Sequence, residues 1–366
     1  MSDLLRTPLF AAHTEAGGKI VPFAGWEMPV QYAGVIAEVN AVRTAVGMFD
    51  VSHMGRVRVH GADAGAFLDH ITVNDVSKLS DNRAHYSLLC TDAGGVVDDI
   101  IVYRLAATDF IVVVNASNRV KALAWFDAHR TRFPHLAIED ETFDTALIAV
   151  QGKTAVALCS RISDGDLTVL PRFGITETSV DGAPAMVART GYTGEDGVEL
   201  FCRNADAPGL WHVLREHGVV PCGLGARDTL RVEACLPLYG HEMNETTHPF
   251  AARLAWVVKT EKAAAFVGQE TLRTLKAAAP EKILVGITME TRAVPRDGYP
   301  VLSETGDVIG HVTSGTFSPT LGKGIALARV HAQHSSVSTP VSVVIRDAKH
   351  AARVAKTPFY KREGAN

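Results

Sequence analysis

Two adjacent carboxylates, Asp98 and Asp99, stand where a strand is expected to begin. They follow residues 94–97 (Gly-Gly-Val-Val) and precede the apolar run 100–103 (Ile-Ile-Val-Tyr). Because side chains alternate along a strand, the two aspartates point to opposite faces, and at least one enters a partly buried place. A buried carboxylate is unfavourable unless something binds it. The residues alone leave two interpretations open, a ligand site and a strand-entry turn in which an aspartate accepts backbone N–H bonds.

Glu199 is a second candidate, in the glycine-rich segment 191–201 (Gly-Tyr-Thr-Gly-Glu-Asp-Gly-Val-Glu-Leu-Phe). Glycines permit unusual backbone angles and close approach of a ligand. Glu199 lies between Val198 and Leu200, so on a strand it faces away from both of them. An exposed glutamate on a two-faced hairpin fits this pattern as well, and on the residues alone it is the better hypothesis.

Two further polar segments have the composition of loops beside a site. Segment 223–233 (Gly-Leu-Gly-Ala-Arg-Asp-Thr-Leu-Arg-Val-Glu) is typical of a loop that enters a helix. Its Arg227 and Arg231 would share one helix face, towards a ligand or in pairs with the acidic residues nearby. Segment 311–322 is a polar loop between strands, which would cap a cleft or form an ordinary barrel turn.

Familiar metal and nucleophile motifs do not occur in the sequence. Residues 17–19 (Gly-Gly-Lys) lack the upstream glycine of a phosphate loop, and segment 223–228 lacks the third glycine of a dinucleotide fingerprint. His241 and His248 are seven residues apart, rather than the four that place zinc ligands one helical turn apart. We find no Gly-x-Ser-x-Gly elbow and no cysteine with a nucleophile signature. The sequence therefore predicts neither a metal site nor a covalent protein nucleophile.

The composition indicates a soluble, multidomain protein. Of 366 residues, 47% are hydrophobic and 21% charged, and the formal net charge is -4. This length exceeds one typical core, so two or three domains are expected. Non-specific nucleic-acid binding is disfavoured because it needs clustered cations, and the sequence has no run of Lys or Arg. The dispersed cysteines favour reduced thiols, and no signal peptide or membrane span is predicted, so we expect a cytoplasmic location.

Helical periodicity marks three of the elements that should position these residues. Valines at helical spacing over 35–46 predict a helix that ends at Gly47. Apolar residues within 64–68 and 210–214 predict two more helices, and Gly218 closes the second of these.

Strand patterns predict the remaining framework. A turn signal at 92–95 precedes predicted strands at 100–103 and 111–114. Residues 276–282 have the composition of a linker. After the linker the predicted elements are strands, at 283–289, 308–312, 325–330 and 341–345. We therefore expect an α+β fold, with a mixed α/β region at 1–275 made of two interleaved subdomains, and an all-β domain at 283–360 that is a small barrel or sandwich.

Seven motifs taken together resemble one family, the glycine cleavage T-proteins, and they occur in that family's order from about residue 7 to residue 359. The motifs are 23–29 (Phe-Ala-Gly-Trp-Glu-Met-Pro), 47–54 (Gly-Met-Phe-Asp-Val-Ser-His-Met), 94–99 (Gly-Gly-Val-Val-Asp-Asp), 191–195 (Gly-Tyr-Thr-Gly-Glu), 223–231 (Gly-Leu-Gly-Ala-Arg-Asp-Thr-Leu-Arg), 238–240 (Leu-Tyr-Gly) and 313–319 (Thr-Ser-Gly-Thr-Phe-Ser-Pro). The joint agreement is too specific to arise by chance.

The resemblance implies a three-domain, clover-like fold with folate in a central cavity. It also implies a reaction, in which an aminomethyl group on the lipoyl arm of the H-protein meets tetrahydrofolate. The products are ammonia, 5,10-methylenetetrahydrofolate and the dihydrolipoyl carrier. Neither nucleic acid nor membrane is an expected partner.

The resemblance also assigns roles to individual residues. Asp98, the first of the aspartate pair, matches the family's catalytic aspartate. Glu199 matches the glutamate that binds the pterin, whose two parallel N–H donors suit a carboxylate. Other positions match residues at the folate site, namely Met54, Tyr86, Asn115, Tyr192, Arg227, Tyr239 and Arg362.

Three competing interpretations remain open. They are a folate-dependent demethylase of the same superfamily, a folate-binding accessory protein of iron–sulfur maturation, and a pure binding module. The accessory proteins carry a cysteine near a Gly-Gln-Glu motif, whereas residues 266–270 (Phe-Val-Gly-Gln-Glu) lack that cysteine. In T-proteins the same Gly-Gln-Glu is expected to begin a helix.

Overall fold

The chain folds as two compact units, and each unit is assembled from separate stretches of sequence. The structure is a computed structural model, and it describes residues 4–363. The first unit comprises residues 4–89, 98–227 and 262–266, and the second comprises residues 90–97, 228–261 and 267–363. Residues that are distant in sequence therefore meet within one unit.

The helices within residues 4–363 confirm the three helical predictions, although one helix ends earlier than predicted. They are α1 Phe10–Glu15, α2 Val35–Thr44, α3 Ala64–Ile71, α4 Arg119–His129, α5 Ala155–Arg161, α6 Ala207–Glu216, α7 Leu224–Glu233 and α8 Gln269–Ala277. The helices expected around 64–68 and 210–214 are α3 and α6. In α6 the buried face consists of Leu210, Trp211 and Leu214, and Gly218 follows the helix with a φ of +79°, as the stop signal predicted.

The helix predicted over 35–46 is shorter than expected. It ends at Thr44, and Gly47 begins a strand instead of ending the helix. A Cβ at Gly47 would lie 2.6 Å from the sulfur of Cys222 and 2.7 Å from a methyl of Val42. Glycine is therefore needed here for close packing, a requirement that helical periodicity does not reveal.

The strands form two sheets, a barrel and one isolated pair. Their bounds are β1 Lys19–Phe23, β2 Trp26–Gln31, β3 Gly47–Asp50, β4 Gly55–His60, β5 Arg83–Cys90, β6 Val96–Ala106, β7 Asp109–Val114, β8 Ala137–Asp140, β9 Thr145–Gln151, β10 Ile175–Val180, β11 Ala183–Ala188, β12 Gly197–Arg203, β13 Val220–Pro221, β14 Lys282–Met289, β15 Pro300–Leu302, β16 Val308–Ser318, β17 Lys323–His331, β18 Pro340–Ile345 and β19 Ala348–Ala355. The predicted strands at 100–103 and 111–114 are confirmed as parts of β6 and β7.

A five-stranded sheet carries the aspartate pair, in the order β5-β6-β7-β4-β8. β6 and β7 are antiparallel, with Ile101 opposite Val113. This register brings the start of β6 level with the residues that follow β7. The apolar face of the sheet includes Val102 and Val112, both completely buried. The sheet therefore fixes where Asp98 meets the chain that leaves β7.

A six-stranded sheet carries Glu199, in the order β10-β11-β12-β9-β3-β13. β12 pairs with both β11 and β9, which places Glu199 between Ala188 and Ala149. Val198 and Leu200 are completely buried in the core behind the sheet, whereas Glu199 is half-buried on the other face. The alternation read from the sequence is therefore present in β12.

The C-terminal strands of the second unit close into a six-stranded barrel, in the order β14-β17-β16-β15-β18-β19. This confirms the all-β prediction and selects a barrel over a sandwich. The four predicted strands are β14, β16, β17 and β18. The sequence missed β15, which has only three residues and starts with proline, and β19, whose alanines and charged residues are poor strand formers.

The segment 276–282, predicted to be a linker, is shorter than expected. Helix α8 runs from Gln269 to Ala277, so residues 278–281 alone join it to β14. The Gly-Gln-Glu motif does begin this helix, as expected, with Gly268 in a left-handed conformation at its N-cap. A Cβ at Gly268 would lie 2.4 Å from the carbonyl oxygen of Thr91, so glycine is required there.

The cysteines are free thiols, as expected. Four are buried and Cys235 is half-buried. No helix among residues 4–363 is long and apolar enough to cross a membrane.

Candidate functional site

Asp98 is completely buried near the start of β6, and three N–H groups converge on it. Its Oδ2 accepts the main-chain N–H of Asn115 at 3.1 Å. Its Oδ1 accepts the side-chain amides of Asn115 at 2.8 Å and of Asn118 at 2.6 Å. Asn118 directly precedes α4, and the N-terminal end of a helix favours a negative charge. Asp98 is therefore held by the chain that leaves β7, and not by a turn at the entry to its own strand.

The protonation of Asp98 reflects two opposing influences. Burial, followed by the negative charge of Asp99, raises the pKa of Asp98 well above the ordinary aspartate range. The N–H bonds from Asn115 and Asn118 lower this pKa, but they do not outweigh the first two influences. Asp98 therefore keeps a proton at a pH where an exposed aspartate is ionised, and it can exchange that proton close to neutral pH.

Asp99 lies on the opposite face of β6 and is half-buried. The hydroxyl of Tyr86, on the neighbouring β5, donates to its Oδ2 at 3.1 Å. Its Oδ1 and its carbonyl oxygen accept from the side-chain amide of Asn115, at 2.8 Å and 3.0 Å. Asn115 therefore links the two aspartates. Burial, and next the charge of Asp99, raise the pKa of Tyr86, so its hydroxyl stays protonated as a donor.

Glu199 accepts two hydroxyl groups on one of its oxygens. Both donors, the hydroxyls of Thr190 and Tyr103, approach the same atom, Oε2. The Tyr103 contact is long, at 3.4 Å, and the two hydroxyls also lie 3.2 Å from each other. Among residues 4–363, no group hydrogen-bonds to Oε1 of Glu199. One oxygen of a half-buried carboxylate is therefore available to a donor outside the chain.

Arg227 stacks on Tyr192 close to this carboxylate. Its guanidinium carbon lies 4.6 Å from the ring centroid of Tyr192, a cation–π distance. Burial lowers the pKa of Arg227, while the charges of Tyr192 and Glu199 act to raise it. Tyr192 also acts electrostatically on Tyr86, the partner of Asp99. Tyr192 therefore interacts both with Arg227, on which Glu199 acts, and with Tyr86, the partner of Asp99, and all of these residues belong to the first unit.

The loop that presents Tyr192 is held tightly from behind. Arg43 donates to the carbonyl oxygen of Thr193 and to the carboxylate of Glu195, both at 2.9 Å, and both of those side chains are buried. The Thr193 hydroxyl donates to Oε1 of Gln151 at 2.9 Å. A Cβ at Gly191 would lie 2.0 Å from the same oxygen, so a larger residue there would force the buried Gln151 side chain or the loop to move. The glycine-rich segment is thus shaped by packing against Gln151.

Arg227 is positioned by the start of α7. Gly223, just before the helix, lies so close to β2 that a Cβ would sit 2.4 Å from the carbonyl of Val30. The N–H of Gly223 donates to Oε2 of the buried Glu38 at 2.9 Å. The glycines of segment 223–225 therefore serve close backbone packing, and they set the point from which Arg227 projects.

Met54 and His53 lie in the short connection between β3 and β4. Oδ1 of Asp50 accepts the N–H of Ser52 at 2.8 Å, and the buried Arg56 donates to the carbonyl oxygens of Ser52 and Met54. Met54 is half-buried, and His53 is buried with its ring edge-on to Phe23. Burial lowers the pKa of His53 to about 4, so its ring is neutral at neutral pH.

Seven of the nine predicted site residues belong to the first unit, namely Met54, Tyr86, Asp98, Asn115, Tyr192, Glu199 and Arg227. The other two, Tyr239 and Arg362, belong to the second unit. Tyr239 forms a bridge with Met243, and Arg362 is half-buried near the end of the described chain.

Four residues at these two carboxylates escaped prediction as site residues: Asp99, Tyr103, Asn118 and Thr190. Tyr103 and Asn118 are separated from their carboxylates by many positions in sequence, and neither lies in a recognisable motif. The sequence does point to Asp99, because it stands beside Asp98, but strand alternation assigns its side chain to the opposite face of the strand. Asn115 connects the two faces of β6, because its side-chain amide reaches both carboxylates.

No group of three or more His, Cys, Asp or Glu side chains is placed to hold a metal ion in the described part of the chain. The half-buried carboxylate of Glu199 has the chemistry to accept N–H donors, and the charge of Glu199 acts on the stacked Arg227.

Comparison with known proteins identifies the family. The family model of the GCVT N-terminal domain matches residues 9–262, and that of the glycine cleavage T-protein C-terminal barrel domain matches residues 282–361. The chain belongs to the glycine cleavage T-protein family. The second match coincides with the barrel of β14–β19, so the expected fold of a mixed α/β region followed by a barrel is confirmed.

Curated relatives and a solved structure agree with this assignment. An aminomethyltransferase from Geobacillus kaustophilus (strain HTA426) is 45% identical over 364 residues, which covers 98% of this chain and 99% of the relative. An aminomethyltransferase from Bacillus subtilis (strain 168) is 44% identical over 364 residues, which covers 98% of this chain and all (100%) of the relative. The crystal structure of glycine cleavage system aminomethyltransferase T from Bartonella henselae is 33% identical, with a TM-score of 0.92 over 98% of each chain.

The family and these relatives make the chain an enzyme, an aminomethyltransferase of the glycine cleavage system. The resemblance read from the seven motifs is therefore confirmed. The competing interpretations, a related demethylase and a folate-binding accessory protein, are not favoured.

Proposed function

We propose that the chain moves an aminomethyl group from the lipoyl arm of the H-protein to tetrahydrofolate, and that ammonia is released. The family supports the aminomethyl transfer, and the two unlike carboxylates of the first unit support the choice of acceptor. The proposal also places the protein in the cytoplasm, together with a soluble carrier protein.

The reaction needs a proton-exchanging group and a negatively charged environment for the transferred carbon, which becomes cationic. Tetrahydrofolate supplies two amine nitrogens, which replace the sulfur and nitrogen bound to the carbon in the carrier. Overall, two C–N bonds form, one C–S and one C–N bond break, and two N–H protons end on the thiol and on ammonia. Positive charge builds up on the carbon as its old bonds break, and a fixed carboxylate stabilises such charge.

Asp98 is the group proposed for this task. Its burial and its three N–H donors fix its position, so it stabilises charge without reorganising. Because its pKa is raised, it accepts and returns a proton more readily near neutral pH than an ordinary aspartate does. Since Asp98 is completely buried, we propose that it acts through its field and through proton exchange, and not as a nucleophile.

Glu199 is proposed to bind the pterin of the folate. The single observation that carries this proposal is the half-buried carboxylate whose Oε2 holds two hydroxyls while Oε1 has no partner among residues 4–363. A ring edge with two parallel N–H donors fits such a carboxylate. Arg227 and Tyr192 stack beside it and offer a flat, cationic wall to a conjugated ring.

The remaining folate contacts are proposed from the resemblance. Met54, Tyr86 and Asn115 would line the site, and the resemblance assigns folate contacts to Tyr239 and Arg362 as well. We also propose the domain limits 1–275 and 283–360, with two interleaved subdomains in the first part. The two separate sheets of that part support this division, because β3 joins the six-stranded sheet although it precedes all strands of the five-stranded one.

Ammonia release from aminomethylated H-protein, measured with and without tetrahydrofolate, tests the proposal. We expect fast release with tetrahydrofolate, accompanied by stoichiometric methylenetetrahydrofolate, and slow release without it. Equal rates under the two conditions would remove tetrahydrofolate from the reaction. Release that needs tetrahydrofolate but works equally well with free methylated amines would instead indicate a demethylase.

A further inference from the structure

Asn115 has contacts with both aspartates, and its amide donates towards three oxygens. These are Oδ1 of Asp98 at 2.8 Å, Oδ1 of Asp99 at 2.8 Å and the carbonyl oxygen of Asp99 at 3.0 Å. A flipped amide would point its oxygen at two carboxylates, so the orientation is fixed by its surroundings. An amide has only two N–H bonds, so its position is a compromise between the two aspartates.

Asp99 is itself held on its far side. The Tyr86 hydroxyl donates to Oδ2 at 3.1 Å, and Oδ1 remains directed at Asn115. The chain of contacts Tyr86–Asp99–Asn115–Asp98 therefore crosses from one face of β6 to the other by way of the strand end of β7. A substitution of Asp99 would therefore affect Asp98 through the side-chain amide of Asn115, and not through the solvent.

The groups that act electrostatically on Asp98 belong to the same chain of contacts. The groups that act on Asp98 are Asp99 on the same strand and the amides of Asn115 and Asn118 after β7. Tyr86 on β5 stands next to them, and Asp99, Tyr192 of the 191–197 loop and Asp98 all act on its hydroxyl. Asp99 contributes the one carboxylate among these neighbours, and its charge follows burial as the second largest influence that raises the pKa of Asp98.

We infer that Asp99 is a positioning residue for Asp98, because it orients the shared amide of Asn115 and supplies the charge that keeps Asp98 able to hold a proton. This inference rests on the role proposed above for Asp98. It assigns to the second member of the aspartate pair a task in the reaction that requires no contact with the substrate.

Direct titration of Asp98 tests the inference without relying on catalysis. The carboxyl carbon of Asp98 is followed by ¹³C NMR in protein labelled at aspartate, and it is assigned by its loss in Asp98→Asn. We expect Asp99→Asn to lower the titration midpoint of Asp98 by about one pH unit or more, since a like charge has been removed. Asp99→Glu keeps the charge and should leave the midpoint closer to that of the wild type.

The pH profile of turnover provides the second readout. In Asp99→Asn the acidic limb of the kcat/KM profile should move to lower pH together with the NMR midpoint. A lower plateau with both midpoints unchanged would make Asp99 a merely structural residue and overturn the inference. If Asp99→Asn does not fold, Asp99→Ser removes the charge by a second route and is judged by the same midpoint.

The two proposals fail in different ways. If Asp98→Asn retains turnover, the role of Asp98 is lost, yet the NMR midpoint still decides whether Asp99 sets the protonation of Asp98. If Asp98→Asn is inactive and the midpoint does not move in Asp99→Asn, only the inference about Asp99 is lost.

Discussion

Asp98 and Glu199 are both strand carboxylates of the first unit, but the fold treats them differently. Asp98 is completely buried, and N–H donors occupy both of its oxygens. Glu199 is half-buried, and two hydroxyls crowd onto Oε2 alone. The first carboxylate is saturated by the chain, whereas the second keeps one oxygen open within the described residues.

The number of occupied oxygens indicates which task each carboxylate suits. A carboxylate that the chain already saturates has little left to offer a ligand by hydrogen bonding, but its charge and its proton remain available in a dry place. A carboxylate with an open oxygen at a partly exposed site can bind N–H donors and be released again. We therefore separate chemistry at Asp98 from binding at Glu199, and four predictions test this separation.

The largest effect is expected for Asp98→Asn. The substitution keeps the shape of the side chain and removes its charge and its titration, so turnover should fall by about 10²- to 10⁴-fold, the range for loss of a general acid–base group. Folate affinity, measured by calorimetry, should stay close to that of the wild type. Turnover within a few-fold of the wild type would exclude Asp98 from the chemistry.

Glu199→Gln should act on binding instead. Loss of one charged partner for the pterin edge is expected to weaken folate affinity by about 10- to 100-fold, the equivalent of a charge-assisted hydrogen bond. The rate at saturating folate should change much less. Glu177→Gln, an exposed position in β10 of the same sheet, is the matched control. Unchanged folate affinity in Glu199→Gln would refute the pterin contact.

Gly191→Ala tests whether the loop between the two sites must be held where it is. Its new methyl would overlap Gln151, which is buried and hydrogen-bonded to Thr193, so the loop must shift. We expect a loss of about 1–3 kcal/mol in the free energy of unfolding, as for other overpacked sites, together with weaker folate binding as Tyr192 moves. Chemical denaturation measures the first effect.

Gly209→Ala is the control for Gly191→Ala. Gly209 lies on the surface of α6, with no atom within 4 Å of a new Cβ, so alanine should be neutral or slightly stabilising there. Equal stability of Gly191→Ala and Gly209→Ala would mean that the packing against Gln151 does not constrain the loop.

A fourth prediction concerns pH and stability. The pKa of Asp98 is raised in the folded state, so the stability it contributes is fully present below the pKa of an unfolded aspartate, about 4, and is lost as the pH rises through the folded value. Relative to Asp98→Asn, the wild type should therefore lose stability over this window, by at most about 1.4 kcal/mol per pH unit. Denaturation of both proteins at several pH values measures this slope, and a difference that stays flat or rises with pH would contradict it.

Much of the fold was readable from the sequence, because patterning reports burial. The alternation around Glu199 predicted a strand with two apolar neighbours on its buried face, and the C-terminal strand runs predicted an all-β domain. Periodicity failed where packing between distant segments decides the outcome. Helical periodicity predicts that Gly47 stops a helix, although its role is to let β3 lie against Cys222.

The site was less readable, because hydrogen-bond partners leave no local signal. Alternation could not say which aspartate is buried, and the resemblance alone favoured Asp98. Asn118 and Thr190 became visible only through their bonds to Asp98 and Glu199. Asn115 was expected at the site, but its link between the two faces of β6 depends on the register of β7 against β6.

Asp98 and Glu199 are expected to have different roles, and a side-by-side measurement on two variants distinguishes them. Folate affinity and turnover at saturating folate are determined for Asp98→Asn and Glu199→Gln with aminomethylated H-protein. We expect Asp98→Asn to lose turnover while it keeps its folate affinity. We expect Glu199→Gln to lose folate affinity while it keeps most of its turnover. If both variants lost affinity and turnover in the same proportion, the two carboxylates would form one undivided site and the account would be wrong.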